Sequence, residues 1–365
     1  MTESFIAYDD GGLFRPYLQI PALTETLVRR LATSADPTRW LCEHITVDFS
    51  VEDDGAQRHA DYDNPEARLR YTLQYVYAYG YEYYLMYRDV LHDMIKRAFV
   101  PPVITITSIG CGNGVDYWGF TNACANMHPR LRELTGRSFQ PASYRGIDKF
   151  DWSDCRFPLL AAHEWSHAGT AGSAYRTVDA AEYLNGPLGD ADGACDSDVF
   201  VFPKSVNELE SSLPDLERFF RRVACQSTRE RIYLCVCPPH TPGVEKETDE
   251  HGTWATDGQA FQFTLAIARA LNDGFELGDI YNGETYREKT YIDEHVKTSG
   301  TGWKASLHRT PGPVTDALER LGALSELCPA RGTCEAFPCP VDRKPMLTAK
   351  YISYHVVTFD RRERP

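Results

Sequence analysis

Three groups of residues in this chain have types and spacings that could do chemistry. The first is Val103-Ile104-Thr105-Ile106-Thr107-Ser108-Ile109-Gly110-Cys111-Gly112-Asn113-Gly114, a β-branched run of strand length that ends in glycine at alternate positions. Gly110, Gly112 and Gly114, with Cys111 and Asn113 between them, permit positive φ and a close backbone approach to a ligand. Residues 115–120 can open a helix, so a nucleotide-like ligand would sit at the carboxyl end of this strand. The spacing is G-x-G-x-G rather than the G-x-G-x-x-G of dinucleotide binders. The second group is Asp148, which closes a short strand over 143–148; a carboxylate there can take both hydroxyls of a vicinal diol. The third is His163-Glu164-Trp165-Ser166-His167, an H-E-x-x-H pattern. On a helix, His163 and His167 share a face and could bind zinc, with Glu164 as base for an activated water. A third ligand is needed, and Glu182 is the nearest candidate. No H-x-x-G-x-x-H extension follows His167.

Elements of alternating type must position these groups. A helix is expected over 66–98, with Asn64 as its cap and Pro65 at its first position. It holds Tyr71, Tyr75, Tyr77, Tyr79, Tyr81, Tyr83, Tyr84 and Tyr87, several of which share a face at a spacing of four. Either they form a thick core face or they line a ligand mouth; Gly80 could break the helix. A second helix is expected over 115–134, with Pro129 as a kink or boundary. Buried strands are expected at 198–203 and 231–237, each stopped by proline, and a terminal strand at 351–359. Helices are expected at 213–224, 258–271 and 314–327. Strands alternating with helices imply a doubly wound, mostly parallel α/β sheet, with residues 1–98 as a helical and irregular cap and 99–365 as the catalytic domain.

The order of the motifs resembles that of class I S-adenosylmethionine (SAM)-dependent methyltransferases: a glycine turn after strand one, an acid after strand two, and a loop after strand four, here Phe202-Pro203-Lys204-Ser205. The resemblance extends over about 66–360, with the motif-bearing part at 103–240. It implies a Rossmann-like fold with SAM as cofactor, bound by Gly110, Cys111, Gly112, Asn113, Gly114, Asp148 and Pro203. It implies no bound metal, and it makes His163 or His167 a possible base near neutral pH. An adenine-contacting acid should follow strand three. That strand is poorly defined, and Asp190, Asp192, Asp196 and Asp198 are the candidates. The interval from Gly114 to Asp148 is longer than usual and calls for an extended first helix or an insertion. The N/D-P-P-Y/F tetrad of amino-directed DNA methyltransferases is absent.

Composition narrows the acceptor. The net charge of −14 over 365 residues, without a dense Lys/Arg block, disfavours nucleic acid. A small-molecule acceptor is expected, aromatic or cationic if the tyrosines wall its pocket, between the 71–87 segment and the loop at Pro203 and Lys204. No apolar stretch spans a bilayer. Eleven scattered cysteines and the lack of a leader point to reduced thiols and a cytoplasmic protein. Cys235, Cys237 and His240, and the group Cys328, Cys334 and Cys339, lack zinc-knuckle spacing. Two other functions compete: a zinc metallopeptidase built on His163, Glu164 and His167, and a methyltransferase-like scaffold without turnover.

Overall fold

The computed structural model describes residues 62–63, 65–137, 140–157, 159, 168–170, 172–206, 208–238, 259–282 and 354–363. The expected helix at 314–327, the cap segment before Tyr62, the H-E-x-x-H motif, His240 and Cys328, Cys334 and Cys339 lie outside them. The elements in order are α1 (Pro65–Lys96), β1 (Ile104–Ile109), α2 (Val115–Thr135), β2 (Gln140–Asp148), β3 (Ala168–Thr170), β4 (Ala174–Thr177), α3 (Ala180–Asn185), α4 (Pro187–Ala191), β5 (Val199–Pro203), α5 (Leu213–Gln226), β6 (Arg231–Cys237), α6 (Gln259–Leu271), β7 (Phe275–Asn282) and β8 (His355–Arg361).

The strands form one sheet in the order β3-β2-β1-β5-β6-β8-β7, with β4 also paired to β2. Neighbours are parallel except β8, which runs antiparallel to both β6 and β7. This is a doubly wound, mostly parallel α/β sheet of Rossmann-like form. β3 and β4 are two pieces of one edge: β3 pairs with Gln140–Ala142 and β4 with Arg145–Asp148. Between them, the Ser173 hydroxyl accepts the Tyr144 N–H at 2.9 Å, so the ladder bond survives the interruption.

β6 shows how the sheet is covered on both faces. Ile232, Leu234 and Val236 join Leu216, Phe219, Phe220 and Val223 of α5 and Phe263, Ile267 and Leu271 of α6 in one core cluster. The alternate residues turn the other way: Tyr233 bonds Asp93 of α1, and Cys237 touches Met86 of the same helix. A strand buried on both faces reads as a nearly continuous apolar run, which is why β5 and β6 were legible; β1 was legible as a β-branched run ending in glycine.

The chain divides into two compact units. Among the described residues, the smaller holds α1 up to Tyr81 and residues 150–157. There Tyr71, Tyr75 and Tyr79 pack on one another, Tyr75 and Tyr79 stacked at 4.9 Å. Tyr62, Tyr71 and Trp152 touch pairwise at 5.1 to 5.6 Å, distances at which the rings fill the space between them. Arg68 braces the cluster through a two-bonded pair with Asp154. The larger unit holds the sheet. In it Tyr83, Tyr84 and Tyr87 are buried core residues. α2 lies so close to α1 that a Cβ on Gly119 would sit 2.6 to 2.9 Å from atoms of Tyr83 and Tyr84.

Neither Gly80 nor Pro129 ends its helix: α1 passes through the first and α2 through the second. The length of α2 is what fills the long interval between Gly114 and Asp148. It stops at Gly136, which takes φ +70° and donates its N–H to Arg132 O.

Candidate functional site

β1 is flanked by β2 on one side and by β5 on the other, so the chain changes winding direction there. The loops leaving β1 and β5 diverge above such a switch point and leave a crevice outside the carboxyl ends. All seven residues expected at the glycine turn, the β2 acid and the β5 end lie along this edge.

The turn after β1 is built by glycines with different tasks. Gly110, Gly112 and Gly114 all have positive φ, at +73°, +54° and +78°. A Cβ on Gly110 would lie 2.3 Å from Cβ of Ser205, and one on Gly114 would lie 2.0 Å from the Tyr175 hydroxyl oxygen. Gly110 is therefore required by the β5 loop, and Gly114 by a tyrosine of β4. Tyr175 also passes over Gly146, where a Cβ would come within 2.6 Å of its ring and 2.9 Å of Cys111 Sγ. The remaining side chains of the turn face inward. Asn113 is buried and accepts the Val115 N–H at 3.2 Å, shaping the first turn of α2. Cys111 is buried, and Gly110 and Cys111 both donate backbone N–H bonds to Ile147 O.

Asp148 is tied directly to this turn: its Oδ2 accepts the Gly112 N–H at 2.8 Å. The half-buried carboxylate thus has a fixed orientation at the end of β2. Val178 donates its N–H to Asp148 O, continuing the β2–β4 pairing one residue past Thr177. This brings a second acid to the edge, the exposed Asp179. Its Oδ1 caps α3 by accepting the N–H groups of Ala181 and Glu182 at 2.8 and 3.2 Å.

Asp179 was missed in the sequence because β4 was missed. The available signal was its spacing to Glu182, acid at the cap and glutamate three residues on, a helix-start signature. Each of the four acids expected to follow strand three has partners within the protein. Asp198 sits at the amino end of β5, where its Oδ2 accepts the Thr105 N–H and hydroxyl at 2.7 and 2.6 Å and Arg229 pairs with Oδ1. Asp196 caps the segment at Thr228. Asp192 holds Arg176 and Tyr183, and Asp190 pairs with Arg222. Asp196 and Asp198 are at the wrong end of the sheet, and the others are engaged by cations.

Beneath the turn lies a carboxyl that sequence reading did not single out. Asp116, in the first turn of α2, is completely buried. The hydroxyl of Tyr144 donates to its Oδ1 at 2.8 Å, and that of Tyr87 approaches Oδ2 at 3.5 Å. Burial pushes this carboxyl up to about 6, against the pull of its hydrogen bonds.

At the end of β5, Pro203 is buried and registers with Cys237 of β6. Lys204 then takes φ +59°, a conformation that costs a residue with a Cβ about 1 kcal/mol or more. Its ammonium is buried with Glu82 of α1, Nζ to Oε1 2.6 Å, the side chains 4% and 1% exposed, and it also donates to Pro238 O at 2.9 Å.

Among the described residues, no group of three or more His, Cys, Asp or Glu could hold a metal, and no helix is long and apolar enough to cross a membrane. The described cysteines, including Cys235 and Cys237, are free thiols, and burial raises those two well above the usual range.

No protein-family model and no curated protein matches the chain. Several solved structures are similar to it. Loganic acid methyltransferase with SAH shares 10% identity over 80% of this chain and 97% of that one, with a TM-score of 0.37. The plantazolicin methyltransferase BpumL with SAH shares 11% over 93% and 96%, at 0.29. Coclaurine N-methyltransferase bound to N-methylheliamine and SAH shares 9% over 95% and 86%, at 0.30. A likeness this distant carries neither activity nor substrate to this chain, whose fold stands on its own strand order.

Proposed function

We propose that this chain binds SAM at the carboxyl edge of β1 and transfers its methyl group to a small-molecule acceptor. The observation that supports this most is the bond from Gly112 N–H to Asp148. It couples a glycine turn of positive φ to a carboxylate oriented at the adjacent strand end. In this reading the backbone at Gly112 lies against the methionine part of the cofactor, and Asp148 accepts from the ribose hydroxyls. Asp179, one strand further out, replaces the four acids first considered as the partner of the adenine amino group. Gly110 and Gly114 hold the shape of the turn rather than touch the ligand. The bound cofactor supplies an electrophilic methyl group on a cationic sulfonium. The protein's part is to align the acceptor, exclude water and, where the nucleophile carries a proton, accept it. His163 and His167, outside the described residues, are the candidate bases for that last step.

The acidic chain favours a small, neutral or cationic acceptor over nucleic acid. The test is formation of S-adenosylhomocysteine (SAH) from SAM in the presence of a panel of amine, phenol and carboxylate acceptors. Turnover with at least one small acceptor is expected. Cofactor binding without turnover on any acceptor, and activity only beside a partner protein, would replace this reading with that of a binding subunit.

A further inference from the structure

We propose that Lys204 and Ser205 are positioning residues that hold the glycine turn in its ligand-binding shape; the proposal rests on the SAM-binding reading above. Ser205 Oγ donates to Ile109 O at 2.7 Å, the carbonyl immediately before Gly110. The same side chain fills the space in which a Cβ of Gly110 would stand. The first peptide of the turn is thus clamped from the β5 loop as well as by the Ile147 carbonyl of β2.

The residue immediately before Ser205, Lys204, bends left-handed although it is neither glycine nor asparagine. Its conformation is held from three directions. Its N–H donates to Cys237 O at 2.9 Å, its ammonium to Pro238 O, and its charge is paired with Glu82 of α1. A desolvated ion pair is a poor source of stability when apolar residues of similar size would serve. Its orientation is specific, however, and here it fixes a strained residue next to the proposed cofactor turn. Glu208 and Leu209 both donate their N–H groups to Ser205 O at 3.1 Å, which ties the residue from its carboxyl side as well. The loop thereby links α1, β6 and the β1 turn.

The experiment compares SAH affinity by calorimetry, and unfolding by urea, for the full chain and two variants. Ser205→Ala removes the hydroxyl but keeps the Cβ that packs on Gly110. Its affinity for SAH should fall about fivefold, the worth of one hydrogen bond that shapes the site, while the unfolding midpoint moves little. Glu82→Leu with Lys204→Met removes both buried charges together, so neither is left unpaired. That variant should also bind SAH about fivefold more weakly although its stability is kept or raised, a split that a purely structural role would not give. Ser205→Cys, with a weaker donor, should fall between wild type and alanine. Ser205→Ala affinity within about twofold of wild type overturns the positioning role; if the double variant does not fold, Ser205→Ala alone decides. Wild-type protein that fails to bind SAH overturns the SAM reading itself, an outcome distinct from variants that bind as well as wild type.

Discussion

Replacing Asp116 by asparagine isolates the effect of one buried charge on the pH dependence of stability. The carboxyl is fully buried and titrates at about 6, against an ordinary value of 3.8. Between these values the native protein keeps a proton that the unfolded chain has released. Stability therefore falls as pH rises through the window from about 4 to 6, and above it the penalty is complete. A shift of about two units corresponds to about 3 kcal/mol. Asparagine is nearly isosteric, can still accept from Tyr144, and does not titrate. Urea unfolding of wild type and Asp116→Asn at pH 4, 5, 6 and 7.5 gives a stability difference at each pH, and contributions from groups common to both proteins cancel. That difference should swing in favour of the variant by about 2.4 kcal/mol from pH 4 to pH 7.5, since part of the full effect is already present at pH 4. A constant offset at pH 4 would be harmless, since it reports the local exchange of oxygen for amide. A difference that stays flat within about 1 kcal/mol would show that Asp116 is not titrating in this window, and the reasoning from burial would fail.

Gly114→Ala should destabilise the protein by about 2–4 kcal/mol, because the new Cβ meets the Tyr175 hydroxyl at 2.0 Å and φ is +78°. In a double-mutant cycle, Tyr175→Ala should relieve part of that loss; strict additivity would show that the two residues do not press on each other. Purified protein should carry no stoichiometric zinc by elemental analysis, and His163→Ala should leave SAH affinity unchanged. About one zinc per chain, lost with either His163 or His167, would favour the metallopeptidase instead.

The parts of the fold that could be read from sequence are those whose residues answer to a single constraint. β5 and β6 are buried along their length and are mostly apolar, β1 is a β-branched run of isoleucine alternating with threonine, and the ends of all three are marked by glycine or proline. β4 is a four-residue edge piece, Ala174-Tyr175-Arg176-Thr177, whose pattern has no period. β7 contains Leu277-Gly278-Asp279-Ile280, across which its register with β8 shifts; Leu277 and Ile280 are exposed. Without β4 the sequence offers Asp190, Asp192, Asp196 and Asp198 after strand three, whereas Asp179 is the acid that follows β4 directly. The glycine turn and Asp148 were legible because turn geometry restricts residue type. The bond between them was not, since it depends on how β1 and β2 register. Nor could the sequence separate glycines that admit a ligand from glycines that admit Ser205 or Tyr175. The tyrosines of α1 were ambiguous for the opposite reason: helical spacing gives a face, but only tertiary packing says what covers it. Tyr83, Tyr84 and Tyr87 turn out to be core, and Tyr71, Tyr75 and Tyr79 pack on one another.

The central claim is that the Gly112–Asp148 edge binds SAM, and calorimetric titration of the full chain with SAH tests it most directly. About one site per chain is predicted for wild type. Gly112→Val should abolish binding by filling the approach to the turn, and Asp148→Asn should weaken it about tenfold or more by removing the charged acceptor. Circular dichroism of both variants should stay native-like. Absence of heat and of any thermal shift at millimolar SAH, or undiminished binding in Gly112→Val, would contradict the account.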